Sequence, residues 1–411
     1  MHKTDRLNFV FSTVVFMRDS TNLLLSAKQR VMEHDKNIPP ANSALSIHVY
    51  YKVDVVVIGG GQAGLSAAYH LRREGIEPGK GFVVLDDEFG PGGAWQHRWD
   101  ALTLSNVNGI NDLPGMAFAD AVNTKDKALQ ANVAIPKYYE QYEKAFELPV
   151  IRPIRVSEVR ERNGRFVIRT NGVQFSARGL INATGTWKTP HCPKYPGWEK
   201  FKGRQLHTGE YKSASEFVGK HVIIVGGGIS AVQMLGEVSK VTRTTWVARR
   251  SPDFRRYEFT PELGRKAVAM VEERVRAGLP PKSVVSVTGL PITPAIEGML
   301  EKGILDRKPM FEEITETGVR WADGTTLDAD VIFWNTGFRH SLDHLAPLGL
   351  MNDQGGIEMS GKLATQVAKD PRIHLTGYGP SASTIGANRA GRAAARELIE
   401  FLRLKDNNKA A

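Results

Sequence analysis

Two glycine clusters carry the clearest chemistry in this chain. In the first, Gly59, Gly61 and Gly64 stand as G-x-G-x-x-G after the apolar run Val55-Val56-Val57-Ile58 and before a helical pattern beginning at Gln62. Strand, glycine triad and helix in that order suit a pyrophosphate. The first glycine permits a tight turn, the second lets backbone approach the anion, and the third lets helix and strand pack closely. The amides at the helix N-terminus then face the negative charge. A carboxylate at the end of the next strand can accept hydrogen bonds from a ribose 2′-OH, and Gly81-Phe-Val-Val-Leu runs into Asp86.

The second cluster repeats the pattern with one change. Gly226, Gly228 and Ala231 read G-x-G-x-x-A between His221–Val225 and a helix from Ile229 that carries Ser230 in its first turn. The following strand, Thr244–Ala248, ends in Arg249-Arg250 rather than in an acid. A guanidinium offers a planar fork of donors suited to phosphate, where a carboxylate would repel a 2′-phosphate. These residues assign FAD to the first copy and NADPH to the second. The competing reading is that both arginines are merely solvated, with NADH used too.

The elements that must position these residues recur as well. In the first copy the spacing predicts a helix over Gln62–Glu74, a strand over Phe82–Leu85, and a glycine- and tryptophan-rich stretch from Pro91 through Gly93 and Trp95 to Trp99. An amphipathic helix is expected over Pro136–Leu148 and a strand over Val150–Val156. A hairpin with a type I′ turn is expected at Asn171-Gly172, and then a strand entering Ala183-Thr184-Gly185. The second copy follows with helix Ile229–Lys240, a helix over Pro261–Ala277, a hairpin at Asp323-Gly324 and strand Val331–Trp334 entering Asn335-Thr336-Gly337. Strand Ile373–Thr376 and a helix from about Asn388 to Leu404 close the chain. Such a duplication predicts an α/β fold of two nested Rossmann-like dinucleotide-binding domains. Residues 51–190 and 331–405 form the FAD domain, and 191–330 the inserted NAD(P)H domain.

Composition narrows the class. The 411 residues exceed one small core, and 41% hydrophobic with 24% charged residues is globular. A net charge of +10 is modest, and no dense basic run with interleaved aromatics points to nucleic acid. Residues 1–50 read as a disordered extension or a mis-assigned start, with Met17 and Met32 as alternative initiators. The apolar run Leu7–Met17 is too short to cross a bilayer, which takes about twenty residues. A cytoplasmic location with no membrane partner is expected. Cys192 is the single cysteine, so an intrachain disulfide, a redox C-x-x-C pair and a cysteine-rich metal site are excluded. No metal site is expected; His97, His340 and His344 have no ligand spacing.

A flavin beside a nicotinamide implies hydride transfer to flavin N5, with the protein supplying orientation and electrostatics. Without a thiol pair, the electrons must leave to molecular oxygen, a protein carrier or a quinone-like molecule.

Ahead of the second glycine turn, Phe201-x-Gly203-x-x-x-His207-x-x-x-Tyr211 resembles the F-x-G-x-x-x-H-x-x-x-Y/F fingerprint of flavin-containing monooxygenases. Gly92-Gly93-x-Trp95, Ala183-Thr184-Gly185 and Asn335-Thr336-Gly337-Phe338 agree with it. The similarity spans about residues 52 to 404. PGGAWQHRW, WADGT and GYG-x-SAST look most like the compact bacterial members, including those of arsenic-resistance operons. The resemblance implies that NADPH reduces FAD, that O2 is captured as a C4a-(hydro)peroxyflavin, and that oxygen passes to a small sulfide or amine, or to a ketone. It carries Asn106 over as the residue facing the flavin, against the plainer reading of a loop-capping Asn. It sets His207 and Tyr211 at the domain junction, and Thr384 and Asn388 near the flavin pyrimidine edge. Two alternatives stay open: an NAD(P)H:acceptor reductase like the thioredoxin-reductase-like ferredoxin–NADP reductases, and a non-enzymatic flavin redox sensor. The substrate and the oligomeric state, a homodimer included, are not legible.

Overall fold

The computed structural model describes residues 50–107, 110–256, 261–282 and 289–404. All but the last residue of the N-terminal extension, and residue 405, lie outside the described residues. The first sheet opens with Val55–Ile58 (β1), Phe82–Leu85 (β2), Val150–Ile151 (β3) and Gly179–Asn182 (β4). A second sheet takes Arg204–His207 (β5), His221–Val225 (β6), Arg243–Val247 (β7), Arg307–Lys308 (β8) and Val331–Trp334 (β9). The chain then rejoins the first sheet with Met359–Ser360 (β10), Gln366–Val367 (β11) and Asp370–Leu375 (β12). Spatial order is β10-β11-β12-β4-β1-β2-β3 in the first sheet and β8-β7-β6-β9-β5 in the second. The second sheet is parallel throughout; the first is parallel from β12 to β3 and ends in the antiparallel β10–β11–β12 edge.

Burial explains these strands. β1, β2 and β4 are buried at every position and carry no charged residue, which a parallel strand covered on both faces requires. Register then aligns their ends. Ile58 lies beside Leu85 and Asn182, and Val225 beside Val247 and Trp334. Each sheet therefore has one carboxyl edge from which its loops emerge together, where open α/β sheets place ligands.

Helix Gln62–Arg73 (α1) leaves the first glycine turn and Ile229–Val238 (α3) the second. Helix Ala131–Ala145 (α2) precedes β3, and Thr384–Leu402 (α4) returns to pack on α1. A Cβ on Gly391 of α4 would stand 2.7 Å from Ser66 Oγ and 2.8 Å from the Ala67 amide nitrogen, so the two helices meet backbone to backbone. Ser66 Oγ donates to the Asn388 carbonyl oxygen at 3.0 Å across that contact. Each copy also carries a three-stranded antiparallel meander just before its last parallel strand: Val156–Arg162, Arg165–Thr170 and Gln174–Ala177 before β4, and Glu313–Ile314, Gly318–Arg320 and Thr326–Asp328 before β9. The duplication read in the sequence is thus an architectural one.

Several boundaries differ from expectation. β9 was expected to open the return at residue 331, but it is hydrogen-bonded between β6 and β5, so the return begins after Trp334. The Val150–Val156 strand divides into β3 and the start of a meander, separated by Arg152–Arg155. The type I′ turn is at Asn163-Gly164, both with positive φ (52° and 76°), whereas neither Asn171 nor Gly172 adopts one. α2 begins at Ala131 and holds Pro136 inside. That proline abuts Gly92, whose Cβ would stand 2.7 Å from its ring. α4 starts at Thr384, earlier than Asn388, because Ser383 Oγ accepts from the Gly386 amide as an N-cap.

Two buried histidines tie this fold to pH. His374 in β12 is fully buried and His70 in α1 is 4% exposed. Burial holds His374 down to about 3 and His70 to about 4, so both are neutral when folded. Lowered basicity means that the unfolded chain binds more protons below its own histidine value. Stability is complete above about pH 6.5 and lost as pH falls toward 4, at up to about 1.4 kcal/mol per pH unit per histidine. The melting temperature should drop steadily between pH 7 and 5 and drop less steeply in the double variant His70→Gln, His374→Gln; a wild-type melting temperature independent of pH in that window would contradict this.

Candidate functional site

The first glycine turn is built by steric exclusion. Gly59 has φ of +104°, and a Cβ there would lie 2.6 Å from the Ala183 carbonyl oxygen. A Cβ on Gly64 would overlap the Gly59 carbonyl oxygen. Gly61, by contrast, has nothing within 4 Å where its Cβ would be, and it caps α1 without any side-chain acceptor. The N-terminus of α1 thus has no side-chain cap and has open space beside Gly61, an arrangement that fits a pyrophosphate. The second turn repeats this. Gly226 (φ +148°) leaves no room for a Cβ against the Asn335 carbonyl, Gly228 faces open space as an uncapped N-cap, and Ser230 sits half-buried in the first turn of α3. Both turns thus have the shape of dinucleotide sites, with a helix N-terminus that carries no side-chain cap.

The ribose-side residues differ between the copies. Asp86 is buried, and its Oδ2 accepts from Arg152 Nε at 2.7 Å. Arg152 in turn makes a two-pronged pair with Glu143 at 2.7 and 2.8 Å. This triad lies beneath the turn, since a Cβ on Gly60 would stand 2.7 Å from Arg152 and 2.8 Å from Asp86 Oδ2. Asp86 Oδ1 accepts no hydrogen bond among the described residues, so one oxygen stays available. Burial pushes the Glu143 carboxyl up and its pairing with Arg152 opposes that; the same pairing raises Arg152 against its own burial. At the matching place in the second copy, Arg249 and Arg250 are exposed, and neither has a hydrogen bond or ion pair among the described residues.

Gly93 closes over the first turn: its φ is +51°, and its Cβ would stand 3.1 Å from the Gly61 Cα. Trp95 is half-buried beneath the Arg98 guanidinium, 5.5 Å from its ring centre. Ala183 is buried against Gly59. Thr184 and Thr336 spend their hydroxyls on the protein, Thr184 Oγ1 donating to the Ser341 carbonyl at 2.7 Å and Thr336 Oγ1 to the His191 carbonyl. The open backbone of each Thr-Gly turn is at Gly185 (φ +62°) and Gly337 (φ +81°), with nothing in front of either.

The fingerprint runs along β5 and just beyond it, and the side chains of Phe201, His207 and Tyr211 pack against the protein. Phe201 covers Gly203, whose Cβ would stand 2.5 Å from that ring. Tyr211 is fully buried and donates to Glu237 Oε1 at 2.7 Å. His207 is 2% exposed; its Nδ1 accepts from the Gly209 amide at 3.1 Å while its Nε2 contacts the Gly337 carbonyl at 2.9 Å. Those partners require Nε2–H to donate, and burial holds the ring below its ordinary basicity, so it is neutral. The fingerprint braces β5 and fixes the Gly337 turn. Asn106 is exposed; its Oδ1 accepts from the Thr103 amide at 2.8 Å and its Nδ2 donates to the Ala101 carbonyl at 2.9 Å, the contacts of the loop-capping reading. Thr384 opens α4, and its side chain lies outside the described residues.

Trp187, missed in the sequence, joins the two turns through Phe338. Trp187, two places after Gly185, stacks on Phe338, one place after Gly337, at 4.9 Å and 23°. Phe338 meets the His207 ring edge-on at 4.7 Å. The signal was present: an aromatic follows the Thr-Gly pair in both copies. Arg152 had no such signal, because its partners are 66 and nine residues away.

The Arg152 triad makes a direct expectation. Arg152→Met leaves two buried carboxylates facing each other without their cation, which costs about 3–5 kcal/mol. Glu143→Gln with Arg152→Met should recover part of that loss. Chemical denaturation of both proteins measures it, and equal stability of wild type and Arg152→Met would refute the triad.

Comparison with known proteins follows the same lines. The sequence profile described as "Pyridine nucleotide-disulphide oxidoreductase" matches residues 56–377. An uncharacterized oxidoreductase of Bacillus subtilis, CzcO, is 27% identical over 74% of this chain and 86% of its own. Human flavin-containing monooxygenase 5 is 24% identical over 77% of this chain and 74% of its own. Among solved structures, the flavin-containing monooxygenase from Stenotrophomonas maltophilia superposes with a TM-score of 0.71 at 37% identity, covering 85% of this chain and 99% of that one. FAD and NADPH are the cofactors of these proteins' family. No helix among the described residues is long and apolar enough to cross a membrane. The chain belongs to the pyridine nucleotide-disulphide oxidoreductase family, among its flavin-containing monooxygenase relatives, and is a flavin-dependent oxidoreductase.

Proposed function

We propose that the chain is an NADPH-dependent FAD monooxygenase that oxygenates a small soft nucleophile, a sulfide or an amine, or a ketone. The observation that carries this reading is the meeting of the two Thr-Gly turns through Trp187 and Phe338 in a chain whose only thiol is Cys192. Two dinucleotides would face each other there, and no cysteine pair exists to take electrons onward. Burial also pushes the Cys192 thiol up, away from reactive thiolate.

In this reading the FAD unit comprises residues 51–190 and 335–404, and the NADPH unit residues 191–334. The α1 amides behind Gly61 would hold the FAD pyrophosphate, and Asp86 Oδ1 would accept from the adenosine ribose while Arg152 fixes the other oxygen. The α3 amides behind Gly228 would hold the second pyrophosphate. Arg249 and Arg250, exposed and unpaired among the described residues, would take the 2′-phosphate that separates NADPH from NADH. His207, neutral and bonded at both nitrogens, moves no proton; it holds the Gly337 turn in place. Bound flavin supplies hydride acceptance and the capacity to activate O2. The stoichiometry closes as NADPH, H+, O2 and substrate giving NADP+, water and oxygenated substrate.

Two measurements test this. Arg249→Ala with Arg250→Ala should raise KM for NADPH at least tenfold while changing KM for NADH less than threefold. Equal changes would remove the 2′-phosphate assignment. Protein reduced anaerobically by NADPH and mixed with oxygenated buffer containing a thioether should yield sulfoxide, with less hydrogen peroxide than flavin reoxidised. Stoichiometric peroxide with every sulfide, amine and ketone tried would instead mark a reductase or sensor.

A further inference from the structure

A cation without a counter-charge sits where the two units meet. Arg98 immediately follows the turn Gly93–His97, which leans on Gly61. Its guanidinium lies over the Trp187 ring, 4.4 Å from the centre, and over Trp95 at 5.5 Å. Its Nε is buried with no hydrogen-bond partner. Its terminal nitrogens make no hydrogen bond or ion pair among the described residues. The nearby carboxylates are already taken: Asp87 and Glu88 pair with Lys188 at 2.6 and 2.9 Å, and His97 holds Glu88 at 3.0 Å. Burial alone pushes Arg98 down to about 10. A charge withdrawn from water usually has a carboxylate or phosphate beside it, because desolvation is otherwise uncompensated. Two aromatic faces offset part of that cost but leave the in-plane N–H donors unused.

We propose that Arg98 receives an anionic group of the dinucleotide held at the first glycine turn. The inference rests on the FAD assignment above. The first unit is favoured over the second because Arg98 is tied to it on both sides: through Gly93 to Gly61, and through Trp187 to the segment after β4. The anion has two sources on one ligand, the pyrophosphate or the ring edge that gains negative charge on reduction. The first is present in every redox state, the second only when electrons arrive.

Binding and potential separate these without relying on turnover. Flavin-stripped full-length protein is titrated with FAD by fluorescence quenching, and the reconstituted protein's flavin midpoint potential is measured. Arg98→Met should either weaken FAD at least tenfold, which identifies the pyrophosphate, or keep FAD affinity and lower the midpoint potential, which identifies the ring. Arg98→Lys should restore part of either effect, as a purely steric role would not. If Arg98→Met does not fold, Arg98→Gln against Arg98→Lys decides on the same readouts. Unchanged FAD affinity and potential, or a loss confined to NADP+ binding, overturns the proposal. A wild-type protein that takes up no FAD would instead overturn the reading on which it rests.

Discussion

The structure depends on one steric constraint used twice. In each unit the first glycine of the turn is pressed against the carbonyl of the residue that ends a neighbouring strand, Ala183 for Gly59 and Asn335 for Gly226. No side chain fits at either contact. The turn must therefore be tight, and a tight turn brings the helix N-terminus directly above the sheet's carboxyl edge. The N-caps Gly61 and Gly228, like Gly185 and Gly337 after the neighbouring strands, each have open space where a Cβ would stand. Anion-binding capacity here is a by-product of packing.

Much of this was legible because the constraint writes itself into residue types. Glycine at three fixed positions after an apolar run is what a strand turning tightly into a helix demands, and few folds demand it elsewhere. The meander before the last parallel strand of each copy was half visible. In the second copy the Asp323-Gly324 turn was read correctly. In the first, the hairpin around Asn171-Gly172 is present without the type I′ turn expected for it, and the hairpin at Asn163-Gly164, flanked by charged residues, was overlooked. Strand Val331–Trp334 was read with its observed bounds, but the sheet it joins was not legible, since membership of a sheet is a matter of hydrogen-bond partners distant in sequence.

The site residues divide by a similar rule. Positions read through backbone geometry lie at the turns, where a Cβ does not fit on Gly59, Gly64 or Gly226. The side chains of the fingerprint pack inside the protein. Tyr211, His207 and Phe201 recur at fixed spacing because each fills a specific interior place, and Asn106 satisfies its own loop. Spacing alone cannot tell a side chain that touches a ligand from one that holds the wall behind it. Arg152 shows the converse: its role depends on Asp86 and Glu143, which reach it only in three dimensions.

The two units share a backbone solution and differ in electrostatics, and that difference is what gives the molecule a direction. In the first, the carboxylate at the end of the second strand is buried and clamped by Arg152, which fixes one oxygen and keeps a negative charge at the turn. In the second, the same position presents two exposed cations with no partner among the described residues. A ligand with an unphosphorylated ribose suits the buried acid, and one with an extra phosphate suits the exposed pair. On the proposed reading the first ligand sits at a buried acid and the second at cations open to solvent. Trp187 on Phe338, with His207 behind it, joins the two at fixed separation. On the proposed reading, an electron acceptor beside an exchangeable donor, in a chain with one thiol and no thiol pair, leaves a small diffusible molecule as the terminus for the electrons.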